Sequence, residues 1–170
     1  MIPIKRRSFK ISYDLSLIDK MTGFEFEEYL SNLFQKFDYI PTTTKKSGDF
    51  GCDILLKKNK QTICVQAKRS NSKISLRAVQ EVTASLKKYD AEMGIVIANA
   101  NFTKAAKSLA KSNDITMINR NALLRLIDLS KLPADERWKL TDFCKQLRIT
   151  DSRMNLLDKN KEISQKKIDD

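Results

Sequence analysis

Gly48-Asp49-Phe50-Gly51-Cys52-Asp53-Ile54-Leu55-Leu56-Lys57, followed after Lys58-Asn59-Lys60 by Gln61-Thr62-Ile63-Cys64-Val65-Gln66-Ala67-Lys68, is the stretch whose reading decides the fold. Both halves alternate with the period of a β-strand. Cys52, Ile54 and Leu56 fall on one side of the first half, and Asp53, Leu55 and Lys57 on the other. In the second half Ile63, Val65 and Ala67 form an apolar side, while Thr62, Cys64, Gln66 and Lys68 share the opposite one. With Asn59-Lys60 as a two-residue hairpin tip, paired residue numbers sum to 119, so Ile54 faces Val65, Leu56 faces Ile63 and Asp53 faces Gln66. A slip of one residue would set Asp53 opposite Val65 or Ala67 and mix apolar with polar positions, which burial of one face penalises.

The register puts an acid, an amide oxygen and, diagonally, the amine of Lys68 on one face. That trio suits phosphodiester hydrolysis, where a divalent cation activates a water and offsets charge growing on the phosphorane oxygens. Asp53 offers a carboxylate, Gln66 a neutral carbonyl oxygen and Ala67 its main-chain carbonyl, an oxygen set matched to Mg²⁺ or Mn²⁺. Lys68 is long enough to reach the attacking water or the phosphate, where its ammonium would orient the nucleophile and stabilise the transition state. The competing reading is a solvated hairpin face with surface Asp, Gln and Lys. The turn-forming glycines before the acid and a helix upstream weigh against it.

That helix starts at Thr22, which with Glu25 makes a capping-box pattern, and Phe26, Leu30, Leu33, Phe34 and Phe37 form its apolar stripe. Glu27 lies on the flank of the stripe and is the nearby acid best placed to add a metal-side carboxylate, directly or through water. Tyr39-Ile40 and Thr42 to Thr44 predict a first strand, with Pro41 marking an edge or bend. Downstream, Ser75 is expected to cap a helix carrying Leu76, Val79, Val82, Leu86 and Tyr89, and Gly94 to Ala98 reads as a strand buried on both faces. Thr103 caps a further helix, Ile115 to Ile118 gives another strand, and Asn121 to Leu129 a short helix. The order αβββαβαβα describes an α/β sandwich, with the crossover from the hairpin to Ile95 right-handed. Gln80 opens toward the N-terminal half of the helix after Lys68 and could bond a phosphate. Arg69, Lys73 and Arg77 could grip the DNA backbone beside the scissile bond, whereas Lys104, Lys107 and Lys111 read as a solvated stripe.

From Met21 to Ile127 the chain resembles the catalytic domain of the Mrr-type restriction endonucleases, a branch of the PD-(D/E)xK nuclease superfamily. The matching pieces are Thr22-Gly23-Phe24-Glu25-Phe26-Glu27, Ser47 to Asp53, Val65-Gln66-Ala67-Lys68-Arg69, Ala78-Val79-Gln80-Glu81, and Asn101-Phe102-Thr103 followed by Ala105-Ala106. The resemblance implies a restriction-endonuclease-like αβββαβ core with a mixed central sheet flanked by helices. It makes Asp53 the metal ligand, Gln66 the third-motif residue, where this branch has Gln for Glu, Lys68 the catalytic lysine and Glu27 the helix acid. Many members also carry a separate DNA-reading domain, for which this sequence shows no room.

Composition narrows the chemistry. The 170 residues contain no histidine, which excludes histidine-metal nucleases and Ser-His or Cys-His triads. A net charge of +11 favours a polyanionic partner, here DNA, bound in a salt-sensitive way. Cys52, Cys64 and Cys144 make no disulfide framework, and under the hairpin register Cys52 and Cys64 point to opposite sheet faces; a reduced, cytoplasmic setting follows. Nothing resembles a signal core or a membrane span.

Three parts are expected: an N-terminal arm over 1–20, either an edge strand or flexible, the nuclease domain over 21–130, and a C-terminal helix and charged tail over 131–170. Pro133 is expected to open the helix, running through Arg148 with Trp138, Leu140, Phe143 and Leu147; residues after Ile149 are charged with few large apolar groups, and Asp158 to Asp170 are expected to be frayed or a helix folded on a partner. The activity expected is metal-dependent DNA cleavage in restriction of foreign or modified DNA. A repair or junction-processing nuclease and a catalytically silent DNA-binding module are the alternatives. One active site per chain and two strands per duplex motivate a homodimer.

Overall fold

A computed structural model describes residues 11–44 and 51–149. The chain divides into two compact units, Met1–Arg137 and Trp138–Asp170. In the first, α1 (Ile11–Ile18) and α2 (Gly23–Gln35) precede β1 (Ile40–Thr43), β2 (Ile54–Lys58) and β3 (Gln61–Lys68). Then α3 (Arg77–Tyr89), β4 (Met93–Ala98), α4 (Lys104–Ser112), β5 (Thr116–Ile118) and α5 (Arg120–Ser130) follow. Among the described residues the strands form one sheet in the order β1-β2-β3-β4-β5, antiparallel through β3 and parallel beyond it.

The hairpin register is the one its alternation predicts: Ile54 pairs with Val65 and Leu56 with Ile63, with Lys58 and Gln61 closing the two-residue tip. Asn59 takes a φ of 54° there, a left-handed conformation that Asn tolerates better than most side chains. Both faces of the sheet are covered. Phe26, Leu30 and Phe34 of α2 are fully buried, as are Ile54, Leu56, Ile63 and Val65 on the side that α2 packs against. Removing a ring such as that of Phe26 would cost about 3–5 kcal/mol. The other face carries a core of Cys64, Val96 and Ala98 from the strands with Val79 and Val82 of α3 and Ala106 and Ala110 of α4. Burial on both sides makes β3 and β4 near-continuous apolar runs, as a parallel sheet centre requires.

Helix boundaries follow local chemistry. Thr22 Oγ1 accepts from the Glu25 N–H while Glu25 Oε2 accepts from the Thr22 N–H, the complete capping box. Thr103 caps α4 by accepting from the Ala106 N–H at 3.1 Å, and Asn119 caps α5 by accepting from the Ala122 N–H at 2.9 Å.

The structure corrects several expectations. Residues 11–18 form a helix rather than an edge strand or loose arm. Leu76, not Ser75, is the N-cap of α3, with no side-chain cap. Helix in the C-terminal part begins at 140 and not at Pro133. Trp138 precedes it and is 53% exposed. Cys52 and Cys64 share one core cluster instead of facing opposite ways, because strand geometry begins only at Ile54 and the bend at Asp53 turns Cys52 inward toward α3. The neighbouring Cys64 thiol and burial push the Cys52 thiol up. Ser47 to Phe50 and the tail beyond Ile149 lie outside the described residues.

Candidate active site

Gly51 has a φ of +89°, and a Cβ placed on it would come within 2.4 Å of the Glu81 carbonyl carbon on α3. Only glycine combines that backbone angle with so close an approach. The loop leading into β2 is thereby seated on the first turns of α3, beside the C-terminal half of β3. Gly51, Asp53, Gln66, Lys68, Arg77, Gln80, Glu81 and Ala84 line one cavity of about 590 Å³.

Asp53 and Gln66 meet across the hairpin as the register requires. Asp53 Oδ2 accepts from Gln66 Nε2 at 2.5 Å and from the Ala67 N–H at 2.7 Å, and the Asp53 N–H donates to the Val65 carbonyl at 2.9 Å. Ala67 thus touches Asp53 through its amide rather than its carbonyl. The carboxylate fixes the Gln66 amide with its NH₂ toward Asp53, because the reverse orientation would oppose two oxygens. Gln66 Oε1 is consequently buried and accepts no hydrogen bond. A buried carbonyl oxygen without a donor is costly unless something positive meets it. One carboxylate beside such an oxygen is the donor chemistry of a hard divalent cation, so the residues present fit that ion.

Lys68, at the end of β3, forms an ion pair with Glu81 Oε2 at 2.8 Å, and Glu81 Oε1 accepts from Arg77 Nε at 3.1 Å. Arg77 and Gln80 line the cavity from α3 with exposed side chains. Three residues expected near the chemistry are not among those lining the cavity. Glu27 is half-buried on α2, the helix covering the opposite face, and is not among the cavity's lining residues. Lys73 is exposed in the loop before α3. Arg69 donates to the Asp19 carbonyl and to Asn71 Oδ1 and is spent on holding the loop after α1.

Residues 18–127 match the family model described as restriction endonuclease, Mrr_cat. The chain belongs to that family. As a member of the Mrr-type family it is a nuclease domain, and its five-strand mixed sheet flanked by helices is the PD-(D/E)xK architecture. Similar solved structures agree on the fold. The DNA modification-dependent restriction endonuclease AspBHI aligns with a TM-score of 0.58 at 12% identity, covering 88% of this chain and 43% of that one. The MspJI restriction endonuclease, solved in complex with a 27-mer oligonucleotide, aligns with a TM-score of 0.52 at 17% identity, covering 76% of this chain and 32% of that one. The chain thus spans less than half the length of either enzyme. A comparison with curated proteins gives no match.

Glu81 is the charged cavity residue to which sequence reasoning assigned no role. Its signal was present in Ala78-Val79-Gln80-Glu81, but nothing local shows that Gly51 packs against its backbone. Among the described residues no helix is long and apolar enough to cross a membrane.

Proposed function

We propose that the chain is a divalent-metal-dependent DNA endonuclease acting in restriction of foreign or modified DNA. The observation that carries this reading is the Asp53–Gln66 pair, whose amide oxygen is buried without a donor in the cavity that Lys68 also lines. Asp53 and Gln66 hold the cation, with the Ala67 carbonyl as a further oxygen. When bound, Mg²⁺ or Mn²⁺ supplies Lewis-acid stabilisation of the phosphate and a more acidic water. Lys68 orients the attacking water and places a positive charge against the phosphate as negative charge develops. Arg77 and Gln80, exposed on the cavity wall, contact the flanking backbone, and Lys73 adds a charge nearby.

Restriction is favoured by the family and by the fold of the two structural neighbours. Recognition of modified DNA is suggested by the description of AspBHI as modification-dependent. Two strands are cut by pairing two copies of the chain on one duplex, and a protein partner binds through the C-terminal region. The test is cleavage of methylated and unmethylated plasmid with Mg²⁺ or Mn²⁺. Metal-dependent cutting of either form supports the nuclease, and preference for the methylated form supports the substrate. Gel retardation without cutting under any of these conditions would replace the reading with a binding module.

A further inference from the structure

Glu81 Oε2 is shielded from solvent and meets no hydrogen-bond donor of suitable geometry, yet the Lys68 ammonium lies 2.8 Å from it. A buried carboxylate oxygen is costly unless a cation balances it, so the pair is held together from both sides. Glu81 is itself held: its backbone is in contact with Gly51 and its second oxygen accepts from Arg77 Nε. Lys68 reaches the cavity on a flexible four-carbon stem with many rotamers open to it when free. A residue whose work is to orient water must not wander over those rotamers.

We propose that Glu81 is the positioning residue of the site: it clamps the Lys68 ammonium at the cavity wall and, through Gly51, fixes the distance between that ammonium and Asp53. The inference rests on the nuclease reading for its catalytic consequence, though the clamp itself does not. Two carboxylates share the cavity with the lysine, Asp53 from the hairpin and Glu81 from α3. Asp53 Oδ2 accepts from Gln66 and Ala67, while the Lys68 ammonium pairs with Glu81.

The experiment compares wild type with Glu81→Gln, Glu81→Asp, Lys68→Ala and the Lys68→Ala/Glu81→Gln double variant. It measures single-turnover plasmid cleavage at saturating DNA, the Kd for DNA and the side-chain ammonium resonance of Lys68 in the DNA-free protein. Glu81→Gln keeps the shape of the side chain and loses the charge. Its cleavage rate should fall about tenfold or more with Kd little changed. Glu81→Asp should recover part of that loss, and the double variant should be no slower than Lys68→Ala alone. The Lys68 ammonium signal should be protected from water exchange in wild type and lost in Glu81→Gln. Wild-type cutting by Glu81→Gln, or losses that multiply in the double variant, would overturn the proposal. An ammonium signal identical in wild type and Glu81→Gln would overturn it whatever the cleavage assay shows. If wild type cut no DNA while the signal responded to Glu81→Gln, the clamp would stand and the nuclease reading would fall.

Discussion

Asp19 and Asp53 each accept a hydrogen bond from a side-chain amide, Asn99 Nδ2 at 2.8 Å and Gln66 Nε2 at 2.5 Å, yet the two clusters end differently. Around Asp19, Arg120 donates to both carboxylate oxygens at 2.7 and 2.8 Å, and Asn99 Oδ1 accepts from the Ser70 N–H at 2.8 Å. Every oxygen of that acid–amide pair is used. Around Asp53, the amide oxygen of Gln66 is left buried without a donor, and the neighbouring cation is held by a different acid. The first cluster joins the loop after α1 to the ends of β3 and β4 and to α5, and each oxygen of its acid and amide side chains meets a donor in the folded chain. The second leaves one buried amide oxygen without a donor. Saturation separates a structural polar network from a reactive one even where the residue types coincide.

The largest expected effect lies in the unsaturated cluster. Asp53→Ala and Lys68→Ala should each lower the cleavage rate by roughly 10²–10³-fold, a size typical of losing one preorganised electrostatic group. DNA affinity by gel retardation should change little, and fall steeply with added salt in all variants. Gly51→Ala comes next, because it strains a φ of +89° and drives a Cβ into the backbone of Glu81. A loss of about 1–3 kcal/mol in urea denaturation is expected, with slower cutting per folded molecule.

In the saturated cluster, Arg120→Ala should cost about 1–2 kcal/mol of stability, since Asp19 and Asn99 lose a bidentate partner that is partly exposed. Cutting per folded molecule should stay at the wild-type level; a fall as deep as that of Lys68→Ala would erase the contrast between the clusters. The Arg120 hydrogen bond, against a smaller opposing effect of burial, holds the Asp19 carboxyl below its ordinary value of 3.8. A depressed folded value means that Asp19 contributes stability above 3.8 and loses it as pH falls through the lower folded value. Asp19→Asn should therefore flatten the acid limb of a Tm-versus-pH curve in that window. Gln66→Glu should keep the cleavage rate within about tenfold of wild type. Two carboxylates would then face each other without a counter-ion, so the variant should gain more Tm than wild type on adding Mg²⁺. No such gain would remove Gln66 from the cation site.

The hairpin was legible because period-two alternation and a two-residue tip permit one register only, and that register alone brings Asp53 to Gln66. Thr22, Glu25 and Thr103 were legible because capping is a contact over three residues. What stayed hidden depends on contacts distant in the chain or on a local break in periodicity. Glu81 enters the cavity through Gly51, thirty positions earlier. Cys52 turns toward Cys64 because Asp53 bends the chain before β2 begins. Glu27 keeps its place beside the α2 stripe, but α2 covers the face opposite to the one Gln66 and Lys68 occupy. The commitment of Arg69 to the Asp19 carbonyl likewise required the fold, since fifty residues separate them.

The most direct test is plasmid cleavage by wild type, Asp53→Ala and Lys68→Ala side by side, with Mg²⁺, with Mn²⁺ and with excess chelator. The account predicts cutting by wild type in either metal, none with chelator, and near-complete loss in both variants that still retard DNA. Wild-type cutting by either variant, or cutting that survives the chelator, would contradict it.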